Sequence, residues 1–173
     1  MLQSPSFASG WSDWSIPTSR SPDPPGGFAL PPHVYVPGQT SRHPEDLFDA
    51  IKDSVTKEIA PEALDQTVAW KAGLAYLDAG YFWECHEVLE AVWMRAPEGS
   101  PEREMVQAVI QLANARLKLL MERPKATVRL CEMVEVHLAR CPGEGAILGL
   151  RAEQVAAKVG RTKVQALERI NAL

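Results

Sequence analysis

The sequence lacks the marks of a disulfide-stapled, nucleic-acid-binding or membrane-spanning protein. Its three cysteines, Cys85, Cys131 and Cys141, are an odd number with no C-x-x-C spacing. That argues against a disulfide framework and for free thiols in a reducing compartment, with Cys131 and Cys141 read as packing residues. Positive charge is not in excess: 18 Lys and Arg face 22 Asp and Glu, a net charge of −4. Nothing therefore recommends nucleic acid or an anionic membrane as partner. No apolar run approaches the roughly 18–20 residues that span a bilayer. The opening "MLQSPSFASG" has neither the basic start nor the apolar stretch of a signal peptide. These absences predict a cytoplasmic protein. There is also no pair of alternating strands and no Asn-Gly hairpin signal.

What is present divides the chain in two. Residues 1–44 hold nine of the fourteen prolines, and proline removes a backbone donor and restricts the residue before it. We expect 1–44 to be an extended Pro/Gly-rich arm and 45–173 a single all-helical domain. Phe28, Leu30, Val34, Tyr35 and Val36 give the second part of the arm enough apolar surface to lie along the body or along a partner chain. Trp11 and Trp14 read either as incidental aromatics of a disordered tail or as anchors on a neighbouring subunit.

From residue 45 apolar positions recur with helical spacing. "PEDLFDAIKDSV" predicts a turn or two. "PEALDQTVAWKAGLAYLDAG" predicts a helix that starts at Pro61 and stops at Gly80. The next runs over 81–95 and halts near Pro97. "SPEREMVQAVIQLANARLKLLMER" opens with Ser100 as N-cap, Pro101 in the first position and Glu102 in the first turn. "PKATVRLCEMVEVHLARC" starts at Pro124, and "RTKVQALERINAL" is helical again. The prediction is a compact antiparallel array of about five main helices. Residues 69–97 have the spacing of one tetratricopeptide unit, but it does not recur at the period of about 34 residues that such repeats need.

One stretch concentrates chemistry: "YFWECHEVLEAVW", residues 81–93. Wound at about 100° per residue, Tyr81, Phe82, Cys85, Val88, Leu89, Val92 and Trp93 share an apolar arc. His86 lies at its margin, with Glu90 and Trp93 within reach at helical spacing. Glu84 lies at the opposite margin and Glu87 turns outward. The helix at 101–122 is apolar almost all round, which predicts a central position. Its one polar stripe is Gln107, Gln111, Asn114 and Lys118. A buried amide without a partner costs roughly 1–3 kcal/mol, so we expect these amides to meet His86 and Glu90.

"HEVLEAVW" contains H-x-x-x-E-x-x-W as His86, Glu90 and Trp93. With "AGLAYLDAGYFWECHEVLEAVW" and "MVQAVIQLANARLKL", the chain resembles the uncharacterised prokaryotic family known as domain of unknown function 309 over about residues 65–140. "YVPGQTSRHPEDLFD" is similar to the lead-in of one branch of that family. Trp83 and Cys85 stand where other members often carry Phe and Ala. The resemblance implies a small all-helical fold and a site at His86, Glu90 and Trp93; it brings no established activity.

The residues support three chemical readings. In the first, His86, Glu90 and Glu87 are candidate catalytic groups, with Glu84, Trp93, Gln107, Gln111 and Asn114 lining a polar pocket. That pocket binds a small molecule or supports acid/base chemistry. Cys85 points about 100° away from His86, a poor dyad. In the second, the cluster only fixes helix register, and the protein is an interaction module that forms a homodimer. In the third, "HEVLE" is a relative of the zincin H-E-x-x-H, and a third ligand would come from His33, His43 or His137. His137 looks like a core histidine, while His33 and His43 sit in a lead-in that can fold over the site. No residue is assigned as a metal ligand, and no cofactor is indicated.

Overall fold

The computed structural model describes residues 28–172; Trp11 and Trp14 lie outside the described residues. The chain forms α1 (Asp49–Lys52), a 3-10 helix (Pro61–Gln66), α2 (Val68–Ala79), α3 (Phe82–Arg95), α4 (Pro101–Leu120), α5 (Pro124–Ala139) and α6 (Ala152–Asn171). No strand occurs among the described residues; Ile147 and Leu150 form an isolated bridge. The all-α class and the five main helices are as expected.

Local chemistry explains most boundaries. The helix expected to begin at Pro61 begins instead at Val68, because the Thr67 hydroxyl caps it by accepting the Trp70 N–H. Pro61 opens the separate 3-10 turn. Gly80 ends α2 with φ of 86°, a left-handed cap that glycine adopts without cost. Ser100 caps α4 by accepting the Arg103 N–H. The last helix starts nine residues before Arg161, at Ala152. Gly160 lies inside it on an open outer face. Its cost of about 1 kcal/mol against alanine is outweighed by the buried row Val155, Val159, Thr162 and Ala166.

Each helix packs on the next, and α4 touches α3, α5 and α6. Trp93 meets Arg103 and His86 meets Asn114, so α3 and α4 run antiparallel. On α4, Met105, Val106, Ala108, Val109, Leu112, Ala113 and Ala115 are wholly buried. Burying a large apolar side chain is worth about 1.5–3 kcal/mol, which makes α4 the spine of the core. Gly73 lets α2 approach α3 closely, since a methyl there would collide with the Leu89 side chain.

Residues 28–44 lie across the body as a strap. Val36 is buried, and Phe28, Leu30 and Val34 pack against the core. The Thr40 hydroxyl accepts the Val36 N–H and donates to the Val34 carbonyl, each at 2.8 Å, which folds the strap into a turn. Gln39 donates to the Leu120 carbonyl at the end of α4. Among the described residues, no helix is long and apolar enough to cross a membrane.

Candidate functional site on the α3–α4 face

His86 is half-buried, and its Nδ1 lies 2.8 Å from Asn114 Oδ1. An amide oxygen only accepts, so Nδ1 carries a proton, and in the neutral ring Nε2 keeps its lone pair. Asn114 Nδ2 in turn donates to Gln111 Oε1 at 3.1 Å. The result is a hydrogen-bond chain with one direction, from imidazole through asparagine to glutamine. Among the described residues nothing bonds to His86 Nε2 or to the Gln111 amide N–H groups, at its two ends. The polar stripe lies where the sequence places it: Gln107, Gln111, Asn114 and Lys118 are part-exposed, while every other residue from Met105 to Leu119 is buried.

The partners within the stripe differ from expectation. His86 meets Asn114, not Gln107 or Gln111. Glu90 is exposed, and no described residue donates to it. It lies one turn beyond His86 and faces solvent. Gln107 instead lines a shallow cleft of about 250 Å³ with Trp93, Glu98, Gly99, Arg103, Glu104 and His137. Above Trp93 the Arg103 guanidinium stands 3.9 Å from the ring centroid. That guanidinium is fixed by donating to the carbonyls of Ala96 at 2.8 Å and Trp93 at 3.3 Å. Glu87 is paired with Lys52 of α1, so it is a bridging carboxylate and not a free base.

Glu84 is the glutamate that the core absorbs. Its side chain is wholly buried, and Oε1 accepts the Tyr35 N–H at 3.0 Å. His43 Nε2 lies 3.8 Å from Oε1, too far for a hydrogen bond. Among the described residues, Glu84 Oε2 and both His43 ring nitrogens are buried and find no hydrogen-bond partner. Rings surround them: His33 at 4.4 Å, Phe48 at 5.6 Å and Trp83 at 6.1 Å from the His43 ring. Burial raises the Glu84 carboxyl to about 7, against the pull of the Tyr35 N–H. Burial, then His33, lowers His43.

The histidines offered as third metal ligands go elsewhere. His33 and His43 gather around Glu84, with His33 Nε2 at 2.6 Å from the Ser41 carbonyl. His137 is part-exposed and bonded to Glu104 at 2.7 Å. It is not a core histidine, because Glu104 of α4 offers it a charged partner at the rim. Among the described residues, no three of His, Cys, Asp and Glu come together to hold a metal ion. The three thiols are buried, and burial pushes all of them up, Cys131 to about 11.

Periodicity puts Glu84 at a margin and gives no sign that it ends buried against His43. The usable signal is the lead-in, whose two histidines and apolar residues can cover α3. Arg103 over Trp93 has no sequence signal beyond their proximity across a short loop.

Fold and site together define a helical protein whose polar face is built on one antiparallel helix pair, with a second polar cluster sealed beneath a strap. Residues 70–130, spanning α2 to the first turns of α5, match the model of a family described as a domain of unknown function (DUF309). Over that stretch the chain is similar to this family. No curated protein and no solved structure matches the chain.

Proposed function

We propose that the α3–α4 face is a binding surface for a small polar molecule, with His86 as its hydrogen-bond acceptor or base. The observation that supports this reading most is the His86–Asn114 contact at 2.8 Å. It holds the neutral imidazole in one tautomer, with Nε2 as the acceptor. Gln111 offers donors at the other end of the same chain. A primary amide or a carboxylic acid presents both a donor for His86 Nε2 and an acceptor for the Gln111 amide. Trp93, under its fixed guanidinium, supplies a flat wall nearby. Glu90 stands at the rim as a charge that a cationic substituent would meet.

Side-chain NMR during titration with acetamide and with formamide tests this. His86 Nε2 and the Gln111 amide shift together in the wild type. In Asn114→Leu, which breaks the chain, both responses fall by more than half. No perturbation at either group by either probe overturns the reading, as does an unchanged response in the variant.

A homodimer is the second reading. Val136 on α5 and Val164 and Leu167 on α6 are 51%, 55% and 43% exposed, apolar side chains that the described residues leave uncovered. Light scattering at twice the monomer mass supports it; a monomer at all concentrations ends it.

A further inference from the structure

The cluster beneath the strap holds two ionisable side chains that the α3–α4 face does not use. Glu84 comes from α3 and His43 from the strap, at 0% and 5% exposure. Their nearest approach is 3.8 Å with no hydrogen bond between them. An imidazolium and a carboxylate buried this way would lose hydration without gaining a charge-assisted bond. A neutral acid beside a neutral imidazole avoids that cost. The strap completes the arrangement, because the Tyr35 N–H donates to the same carboxyl group.

We infer that docking of residues 28–44 moves one proton from His43 to Glu84, so that the closed strap buries two uncharged groups. With the strap lifted, both side chains meet water and the proton belongs on the imidazole. On closing, the N–H bond of His43 breaks and an O–H bond forms on Glu84; net charge does not change. The other groups that bear on the pair are His33 on the strap, Tyr76 on α2 and Cys85 on α3. Arg42 lies outside, over Trp83.

The inference has an unusual consequence for pH. Glu84 rises from its ordinary 4.5 to about 7 on closing, so its contribution favours closure at low pH and is lost as pH climbs through 7. His43 falls below its ordinary 6.5, so its contribution favours closure above that value and is lost as pH drops. The two slopes oppose each other where both act. Between pH 5.5 and 8 the closed-to-open ratio of the wild type therefore changes less than it would with Glu84 alone. Removing one group exposes the other. In His43→Phe, closure weakens by about 30-fold from pH 5.5 to 8; in Glu84→Gln it strengthens, by up to about 10-fold.

Hydrogen exchange of the Tyr35 amide, corrected for the intrinsic rate, reads this ratio in the full chain. Opposite slopes in the two variants, with the wild type between them, support the inference; slopes of the same sign overturn it. Side-chain NMR of the wild type at pH 6 decides even where a variant fails to fold. A protonated Glu84 carboxyl with a neutral His43 supports the transfer, and an imidazolium facing a carboxylate overturns it.

Discussion

Two polar margins of α3 carry groups of similar character and opposite fates. Glu84 and His86 lie about 160° apart on the helix, each roughly 100° from the middle of the apolar arc. Winding alone makes them equivalent. His86 faces the amide stripe of α4, stays half-exposed and finds its partner in Asn114. Glu84 is roofed by the strap and sealed among aromatic rings, with one oxygen that finds no hydrogen bond among the described residues. The difference is set by what covers each margin, which is tertiary, and not by the helix that presents them. A polar side chain at the edge of an apolar arc has no fixed burial until its neighbour is known.

The largest break in this comparison is Glu84→Ala. It removes the acceptor of the Tyr35 N–H, a loss of about 1–3 kcal/mol for a buried donor, and opens a cavity in a packed interior. We expect a total loss of about 2–4 kcal/mol, read as a fall in the urea midpoint. Glu84→Gln keeps an acceptor of the same size and costs less than half as much. If both variants lose the same amount, the hydrogen bond to the strap is not what holds Glu84 in place.

On the opposite margin His86→Ala should cost about 1 kcal/mol. Asn114 loses a donor, but its amide is part-exposed and water can replace the imidazole. The size of this effect sharpens the proposed function. A loss of about 2–4 kcal/mol by urea unfolding is the signature of a network that fixes the register of α3 on α4. A small loss, together with a lost response to acetamide, is that of a group kept for binding.

Much of this architecture is legible in the sequence because local signals and tertiary packing agree. Ser100-Pro101 starts α4, Gly80 stops α2, and the single stripe on α4 marks its one wet line. The sequence misleads where two signals compete. Pro61 announces a helix start, but Thr67 supplies the better cap. Gly160 looks like a break, yet its missing side chain falls on the open face of α6. The site was half legible for the same reason. His86 and Asn114 are on facing margins, so spacing brings them near each other. The Glu84–His43 pair joins residues 41 positions apart through a segment with no periodicity, and no spacing rule reaches that far.

The smallest expected effect belongs to Glu90, and it is the most discriminating about the H-x-x-x-E-x-x-W pattern. Glu90 is exposed with no described donor, so Glu90→Ala should change stability by no more than about 0.5 kcal/mol in urea unfolding. Under the proposed binding role, Glu90→Ala leaves the midpoint in place and weakens binding of a probe with a cationic end, such as glycinamide, more than that of acetamide. Salt screens the first effect and not the second, because only the first is a charge–charge attraction in water. A midpoint shift above 1 kcal/mol would instead mean that Glu90 has a structural partner, and the wet margin of α3 would then resemble the sealed one more closely than the geometry allows.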